Sequence, residues 1–425
     1  MATAKCFFNI LLFIHLSSVK NKAMIKKIKL RNFFSFKDET EVSLNPGVNI
    51  LVGINGSGKT SFINAFRLLY EGVCGNGFEN LFQKEWGGYM NVSSAVEGNS
   101  DKSIELTFVF DSKKLKKLTS KSPFKSDAFY SIVIKPLGNT NYTIEEKLYS
   151  SNLKDSEKPY IFLDFKDERG TLSVYHSTGI KTERFAGDTS GQELILRQIS
   201  DPRRYLPSHT IRTAIAQMAL YESFDTSNNS IVRQPVNASK DMRLDSNGAN
   251  LVNVINNLAV NELTCYRDIE GLLRQINSNF EAFNFQMFGA KLYMSLRETN
   301  MRRSIGMRFV SDGTIRYIIM MSILLNPQSG YFLGIDEPEG RLHPDMIHSI
   351  AQMMKSAAHD RQLVVSTHSP LLLNDFELED IFVFEKGKEN STTVKKYYEE
   401  DFPQYEGELL PGQLWLDGEI GGKRW

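Results

Sequence analysis

The feature that most constrains this chain is the segment GINGSGKT at residues 53–60. It satisfies the pattern G-x-x-x-x-G-K-S/T and lies between an apolar run at 50–52 and an amphipathic segment from Lys59 to Tyr70. A strand that ends in such a loop and continues as a helix turns successive backbone N–H groups toward one point, where an anion can bind. The sequence therefore predicts a phosphate-binding loop, with a plain glycine-rich turn as the alternative.

Each position of this loop has a predicted task. The glycines let the backbone curl around a phosphate, Lys59 adds a positive charge near the outer phosphate oxygens, and the Thr60 hydroxyl is placed to bind Mg²⁺. We therefore expect the phosphates of a nucleotide, with Mg²⁺, as the ligand of this loop. The predicted nucleotide-binding residues are Gly53, Asn55, Gly56, Ser57, Gly58, Lys59, Thr60 and Ser61.

A P-loop protein also needs an acidic residue at the end of a neighbouring strand. The segment YFLGIDEPEG at residues 331–340 supplies it, because its apolar run ends in Asp336. The Asp336 carboxylate is predicted to bind Mg²⁺, and Glu337, which points elsewhere, is predicted to face the attacking water. An acidic turn at a strand end is the structural alternative, and the P-loop in the same chain favours the catalytic interpretation.

Two further segments carry candidate site residues. His368 follows an apolar run at 363–365, so in a parallel sheet it emerges at the same edge as Asp336. There it is predicted to contact the outermost phosphate or the water, with a purely structural histidine as the alternative. Ser311 and Gly313 precede a predicted helix, whose N-terminus can bind an anion. For these two residues a helix cap alone is the alternative.

The order of the remaining patterns predicts an α/β fold. Short strand-like runs dominate the first half of the chain, a helical pattern follows, and strands and helices then alternate as they do around a parallel sheet. We expect the aromatic segment FEAFNFQMF at 280–288 to be core of the helical part, with a base-stacking platform as the alternative. The predicted divisions are an N-terminal extension at 1–23, a β-rich lobe with the P-loop at 24–200, a helical lobe at 201–302, a lobe with Ser311, Asp336 and His368 at 303–390, and a tail at 391–425.

Composition restricts the remaining possibilities. Fifty basic and 50 acidic side chains cancel, so any nucleic acid or anionic membrane must be held by a local patch. Three widely spaced cysteines form no CxxC pair, which argues against a cysteine-based zinc site and favours the cytosol. The apolar run from Cys6 to Leu16 is too short to span a bilayer, and no signal-peptide cleavage site follows it. We expect a cytoplasmic protein without a membrane anchor, whose native chain begins at Met24.

Two local basic patches are candidate sites for nucleic acid. A solvated protein surface is the alternative for both and the more common explanation. The first patch, called the lysine cluster below, consists of Lys113, Lys114, Lys116, Lys117, Lys121 and Lys125, and the second consists of Arg203, Arg204 and Arg212.

These motifs resemble those of the ABC-type ATPases, in the branch that includes RecF, the SMC proteins and the ATPase half of OLD-family nucleases. The resemblance rests on GINGSGKT with its Asn55, on the opening LRNFFSF, and on SDGT, IDEPEGRLHP and STHSP. Within that branch the chain is similar to bacterial stand-alone ATPases found in antiphage defence systems, from Met24 to the final LPGQLWLDGEIGGKRW. The resemblance implies an ABC-ATPase head, which is a P-loop NTPase fold with a β-rich lobe, a helical insertion and a parallel-sheet lobe.

The resemblance also implies roles for the candidate residues. Two heads would sandwich two Mg-ATP as a homodimer, alone or within a larger oligomer, and Ser311 and Gly313 would contact the other protomer's nucleotide as the signature motif. Glu337 would be the catalytic base and His368 the switch histidine. The sequence departs from the transporter pattern because SDGT replaces LSGGQ, and Gln83 is only a weak match to the Q-loop glutamine.

An ATPase of this kind is expected to gate a partner in antiphage defence or genome maintenance. Only 57 residues follow His368, too few for the Toprim domain that continues OLD nucleases, so we expect the effector nuclease to be a separate protein. A RecF-like DNA-binding clamp with a slow, timing ATPase is the main alternative. A transporter's nucleotide-binding subunit is a less favoured one.

Overall fold

The computed structural model describes residues 24–422 with several short gaps. The predicted N-terminal extension at 1–23 lies outside the described residues, whereas Met24, the predicted start of the native chain, is described. The residues that are not described are 1–23, 96–102, 120, 139–140, 152–158, 167, 177–178, 186, 188, 200, 388, 404–409 and 423–425.

An eight-stranded antiparallel sheet forms the β-rich lobe. Its strands are β1 (Ile25–Arg31), β2 (Thr40–Ser43), β4 (Ile104–Phe110), β5 (Ala128–Leu137), β6 (Asn141–Ser150), β7 (Tyr160–Lys166), β8 (Arg169–His176) and β9 (Gly179–Arg184). They lie in the order β2-β1-β4-β5-β6-β7-β8-β9. Along β5 and β6, buried side chains alternate with more exposed ones, which is typical of a sheet with one face on a core and one toward solvent.

A six-stranded sheet contains the strand that leads into the P-loop. Its strands are β3 (Val48–Val52), β10 (Met218–Tyr221), β15 (Phe332–Asp336), β16 (Gln362–Thr367), β17 (Ile381–Lys386) and β18 (Thr392–Lys396). Their order is β10-β15-β16-β3-β17-β18, and all neighbours are parallel except β17 and β18. Every residue of β3 and of β16 is buried, as expected for parallel strands covered on both faces.

Helices cover this central sheet on both sides. Ile50 and Val52 point into one apolar core, whereas Leu51 between them points into the other. The helices are α1 (Lys59–Val73), α2 (Tyr89–Val92), α3 (Ser112–Leu118), α4 (Ile195–Gln198), α5 (Leu206–Ala216), α6 (Leu251–Asn261), α7 (Leu263–Ile276), α8 (Asp312–Leu324), α9 (Pro344–Ala357), α10 (Pro370–Leu373) and α11 (Pro411–Asp417), with a π-helical turn at Asn80–Glu85 and 3₁₀ turns at Ile231–Arg233, Met307–Phe309, Leu378–Asp380 and Glu399–Asp401. The predicted α/β fold is confirmed, and the lobe boundaries stay predictions.

One secondary-structure prediction is wrong. The segment 280–288 is not part of a helical core but a strand in a small third sheet, which consists of β11 (Val236–Asn237), β12 (Phe280–Phe288), β13 (Lys291–Glu298) and β14 (Ile305–Gly306). Gly289, with φ of 60°, turns the chain between β12 and β13, and aromatic residues favour strands. Only part of the aromatic segment is core, because Phe280 and Phe283 are buried and Phe288 is exposed.

Two features of the structure concern the predicted environment of the chain. In the part of the chain that the structure describes, no helix is long and apolar enough to cross a membrane. Cys74 and Cys265 are free thiols, and burial raises the pKa of both above the ordinary value. Cys6 lies outside the described residues.

Candidate functional site

The register of the six-stranded sheet brings three predicted segments to one edge. Asp336, the last residue of β15, pairs with Ser366 of β16. One residue further along β16, Thr367 pairs with Val52, the last residue of β3. Because these strands are parallel, their C-terminal ends lie side by side. The P-loop, the acidic segment 336–340 and the switch segment Thr367–Ser369 therefore begin at the same edge, as the sequence predicts.

The P-loop backbone adopts conformations that require glycine. Gly56 and Gly58 have φ of 78° and 107°, in the left-handed region that disfavours side chains. A Cβ added to Gly58 would lie 2.3 Å from Thr392 Oγ1 and 2.6 Å from Ser35 Oγ. Because two other segments press against the loop at this point, a side chain at Gly58 cannot be accommodated without moving them.

Lys59 is the first residue of α1, and its side chain folds back into the loop. Its Nζ donates to the carbonyl oxygens of Gly53 and Ile54, at 2.8 and 3.2 Å. Burial lowers the pKa of this ammonium to about 8, and the negative charges of the acidic segment partly oppose that effect. The ammonium thus lies where water is largely excluded, so its attraction for a phosphate is stronger than on an open surface.

The other P-loop positions differ in accessibility. Asn55, Gly56 and Thr60 are exposed and accessible to a ligand, whereas Ser57 is buried. The Ser57 carbonyl accepts a hydrogen bond of 2.8 Å from Thr392 Oγ1. Ser61 Oγ is 3.3 Å from the hydroxyl of Ser35. Ser57 and Ser61 therefore contact the structure that supports the loop.

Sequence reasoning missed the two residues that supply this support. Ser35 and Thr392 lie 2.7 Å apart through their hydroxyl oxygens and contact the P-loop from behind. Ser35 lies within LRNFFSF, and only the family resemblance marks that motif. Nothing near Thr392 in the sequence marks it, because its role depends on β18 lying beside β17 at the end of the chain.

Asp336 and Glu337 leave β15 in different environments. The Ser366 hydroxyl donates to the Asp336 carboxylate. Glu337 has φ of 46°, its N–H donates to the Ser366 carbonyl at 3.1 Å, and its carbonyl accepts from Arg316 Nη2 at 2.9 Å. A left-handed backbone at a residue with a side chain costs about 1–2 kcal/mol. Both backbone groups of Glu337 are held, so this turn is built into the fold.

Glu337 and His368 are neighbours at the sheet edge. His368 Nε2 lies 3.6 Å from Glu337 Oε1, and the two side chains are 33 % and 54 % exposed. A ligand bound at the P-loop edge could therefore reach both groups. The structure brings together the two residues predicted to be catalytic, although they are 31 positions apart in the sequence.

Glu339 is a buried acid that sequence reasoning did not select. Its Oε1 accepts from the Thr367 hydroxyl at 2.6 Å and from the His368 N–H at 3.0 Å. Its Oε2 is buried and has no hydrogen-bond partner among the described residues. Burial raises the pKa of this carboxyl above the ordinary value. The residue three places after Asp336 thus joins the acidic segment to the switch segment.

Ser311 is the N-cap of α8. Its Oγ accepts from the Thr314 N–H at 3.1 Å, so Ser311 forms the helix cap that the sequence offers as the alternative to a binding role. A Cβ on Gly313 would lie 3.2 Å from the Arg341 carbonyl. Within the described residues, Ser311 makes no hydrogen bond to residues 53–61 of its own chain. The structure therefore does not bring Ser311 to the P-loop of the same protomer.

A buried arginine fixes the segment before α8. The Arg233 side chain donates to the carbonyls of Met307 and Val310 at 2.8 and 2.6 Å, and it pairs with Asp312 at 2.5 Å. Arg233 lies about 80 residues before the segment it binds, in an irregular region without a motif. No local pattern could have identified it.

The residues at this edge fit Mg²⁺. No group of three or more His, Cys, Asp or Glu side chains able to hold a metal occurs among the residues that the structure describes. Mg²⁺ in nucleotide sites needs only one or two protein oxygens, because phosphates and waters complete its shell. Asp336 at the sheet edge and the exposed Thr60 supply such oxygens.

The lysine cluster lies at the opposite end of β15. Lys114 is buried, its Nζ is 3.9 Å from the centre of the Tyr331 ring, and burial lowers its pKa to about 8. Tyr331 directly precedes β15, whereas Asp336 ends it. The exposed members, which make no ion pair with any described residue, are Lys113, Lys116, Lys117, Lys121 and Lys125.

Two of the other sequence candidates have structural partners. Arg204 pairs with Glu183 at 3.3 Å, and Arg212 donates to the Ile199 carbonyl at 3.1 Å, so these two residues of the second basic patch contact the fold. Gln83 lies in the π-helical turn, with its Oε1 2.6 Å from the position of a Cβ on Gly88. Neither observation connects these residues to the P-loop.

Comparison with protein families gives one match that covers most of the chain. The profile of the family described as "AAA domain, putative AbiEii toxin, Type IV TA system" matches residues 48–374. This span begins at the first residue of β3 and includes the P-loop, α8, the acidic segment and the switch segment.

Two curated proteins are similar over short segments. The "Structural maintenance of chromosomes protein 3 homolog" of Plasmodium falciparum (isolate 3D7) is 40 % identical over 50 residues, which is 12 % of this chain. The "Retron Vc95 probable ATPase" of Vibrio cholerae serotype O1 biovar El Tor is 38 % identical over 73 residues, which is 17 % of this chain. The matches span only 4 % and 14 % of those proteins' own lengths.

Solved structures of similar fold include SMC heads. An SmcHead bound to the C-winged helix domain of ScpA superposes with a TM-score of 0.53 at 14 % identity, over 89 % of this chain and 99 % of that one. The Smc head domain bound to the C-terminal domain of ScpA from Pyrococcus furiosus gives 0.53 at 13 % identity, over 89 % and 97 %. At these identities the likeness shows the fold alone. It confirms the predicted SMC-like P-loop fold.

Proposed function

The chain belongs to the AAA-domain family that matches residues 48–374, and so is an ATPase of the P-loop class; from that premise we propose that it binds and hydrolyses Mg-ATP at the C-terminal edge of the six-stranded sheet. The observation that carries this proposal is the meeting of the P-loop, Asp336, Glu337 and His368 at one edge. Each group has the chemistry that phosphoryl transfer to water requires.

The proposed mechanism divides the reaction among these groups. Lys59 and the P-loop N–H groups bind the β- and γ-phosphates and hold the γ-phosphorus in place. Thr60 and Asp336 would hold Mg²⁺, which when bound would supply positive charge to the phosphate oxygens. Glu337 orients the attacking water in line and accepts its proton, and His368 contacts Glu337 or the γ-phosphate.

The position of Ser311 supports a dimer. This residue caps an exposed helix N-terminus, and its hydroxyl is bonded within its own turn rather than to its own P-loop. We propose that the N-terminus of α8 of one protomer binds the γ-phosphate held by the P-loop of a second copy. Each site is then complete only in a homodimer.

A role in antiphage defence is the biological setting that we propose. The support is the similarity to a retron ATPase over 73 residues together with the motif pattern. In this role the ATP-bound dimer gates a separate effector protein, for which a nuclease is the candidate. The main alternative is a RecF-like clamp on DNA, and the exposed lysines of the lysine cluster favour it.

The experiment that tests the proposed reaction is Glu337→Gln. The amide keeps the shape of the side chain and cannot accept a proton, so turnover should fall by roughly 10²–10⁴-fold while ATP affinity is retained. ATP should then accumulate in a dimer that size-exclusion chromatography resolves. Glu389→Ala, at an exposed surface glutamate, is the control for loss of one negative charge. A Glu337→Gln protein with near wild-type turnover would remove Glu337 from its proposed role.

A further inference from the structure

Three hydrogen bonds hold the switch segment in one conformation. Glu339 accepts from the Thr367 hydroxyl at 2.6 Å and from the His368 N–H at 3.0 Å. The same Thr367 oxygen accepts from the Ser369 N–H at 3.0 Å. Glu339 is thus bonded to the segment whose middle residue carries the imidazole that lies beside Glu337.

This buried carboxylate is placed at a cost to stability. Its Oε2 has no hydrogen-bond partner among the described residues, and leaving a buried polar group unsatisfied lowers stability. Unsatisfied buried polar atoms also occur elsewhere among the described residues, for example at Ser94, Ser150 and Ser173. The two bonds from the switch segment to Glu339, rather than its second oxygen, therefore carry the inference.

We propose that Glu339 is a positioning residue that holds the switch segment so that the His368 ring lies beside Glu337. Glu339 touches neither nucleotide nor water in this role and acts through His368. This inference rests on the proposed function, because it assigns a task to Glu339 within the same reaction.

The geometry indicates how removal of the carboxylate acts. Without Glu339, the Thr367 hydroxyl and the His368 N–H have no shared acceptor, and the backbone that carries the imidazole is free to shift. Misplacement of a catalytic group by about 1 Å can reduce a rate by about 10²-fold. The bonds of Lys59 to the P-loop are untouched, so nucleotide binding is retained.

The test is a set of variants of the full chain, assayed for kcat, KM for ATP and melting temperature. Glu339→Ala should lower kcat by about 10- to 100-fold with KM within twofold. Glu339→Gln keeps an oxygen that can accept both bonds, so it should restore kcat to within about fivefold of wild type. Glu400→Ala, at an exposed glutamate, is the matched control and should have no effect.

The double variant Glu339→Ala/His368→Ala decides whether Glu339 acts through His368. If it does, the double variant is no slower than His368→Ala alone, because the group that Glu339 positions is already absent. Additive losses, or a Glu339→Ala protein with wild-type kcat, would overturn the inference while leaving the proposed function intact. Absence of Lys59-dependent ATP hydrolysis in the unaltered protein would instead contradict the proposed function, and the inference would fall with it.

Discussion

Two glutamates carry buried carboxylate oxygens, Glu146 in the eight-stranded sheet and Glu339 in the turn that follows β15, and their oxygens are satisfied differently. Glu146, on β6 of the eight-stranded sheet, accepts from the Tyr130 hydroxyl at 2.5 Å through Oε2 and from the Ile195 N–H through Oε1. Glu339, beside the six-stranded sheet, uses only Oε1. Both carboxyl groups have a pKa that burial raises.

We interpret this difference as one between an acid that supports the fold and the positioning residue proposed above. The bonds of Glu146 join β6 to β5 and to the first turn of α4, so both oxygens serve the packing of the β-rich lobe. The bond partners of Glu339 are confined to the switch segment, next to the residues proposed to carry out chemistry. A fully satisfied buried polar group helps to specify a fold, and functional sites are where proteins depart from such local rules.

In this comparison the largest effect is expected on the pH dependence of stability, which Glu146→Gln should change. Burial raises the pKa of Glu146 from 4.5 to about 7, and hydrogen bonds from Tyr130 and two backbone N–H groups oppose the shift. The folded state therefore holds the proton more tightly than the unfolded state. The free energy of unfolding should fall as pH rises from about 4.5 to about 7, by about 3 kcal/mol in total, and then level off.

The variant removes this titration. Chemical denaturation at pH 5 and pH 8 should show that the free energy of unfolding of Glu146→Gln lacks the pH-dependent contribution of Glu146. Turnover per folded molecule should equal that of the wild type. The distinction between the two glutamates is contradicted if wild type and Glu146→Gln show the same pH dependence of unfolding. It is also contradicted if Glu146→Gln lowers turnover as Glu339→Ala is expected to do.

A smaller effect is expected from the lysine cluster, which belongs to the β-rich lobe and lies away from the nucleotide edge. Replacing Lys113, Lys116 and Lys117 by Ser should lower the salt slope of DNA binding by up to about 0.9 for each phosphate that the protein no longer neutralises. ATP hydrolysis without DNA should be unchanged. Lys114→Ser is the matched control, since this lysine packs on Tyr331 and should affect stability rather than the slope. An unchanged slope in the triple variant assigns the cluster to the solvated surface.

The sequence predicts the central sheet and its edge well. The apolar runs before Gly53, Asp336 and His368 become β3, β15 and β16, and the parallel register brings their ends together. These predictions succeed because each depends on a short local pattern: an apolar strand, a turn, and a residue with defined chemistry.

The parts that could not be predicted depend on interactions between distant segments. Arg233, Ser35 and Thr392 support the site through hydrogen bonds to backbone and hydroxyl groups, and the residue patterns alone do not indicate these contacts. Glu339 belongs to a known motif, yet its bonds to the switch segment require β15 and β16 to be neighbours. The hairpin at 280–298 escapes sequence reasoning because the aromatic spacing in FEAFNFQMF fits a helix as well as a strand, and Gly289 is a weak turn signal.

The most direct test of the account is a mixing experiment on the shared site. Lys59→Ala removes a protomer's own phosphate cradle and leaves α8 intact, whereas Ser311→Arg places a bulky cation at the N-terminus of α8 and leaves the P-loop intact. Each variant alone should be nearly inactive, and an equal mixture should regain about a quarter of wild-type turnover, since half the dimers contain one working site of two. Ser311→Arg protein that hydrolyses ATP at the wild-type rate as a monomer would contradict the shared site and leave Ser311 as a helix cap.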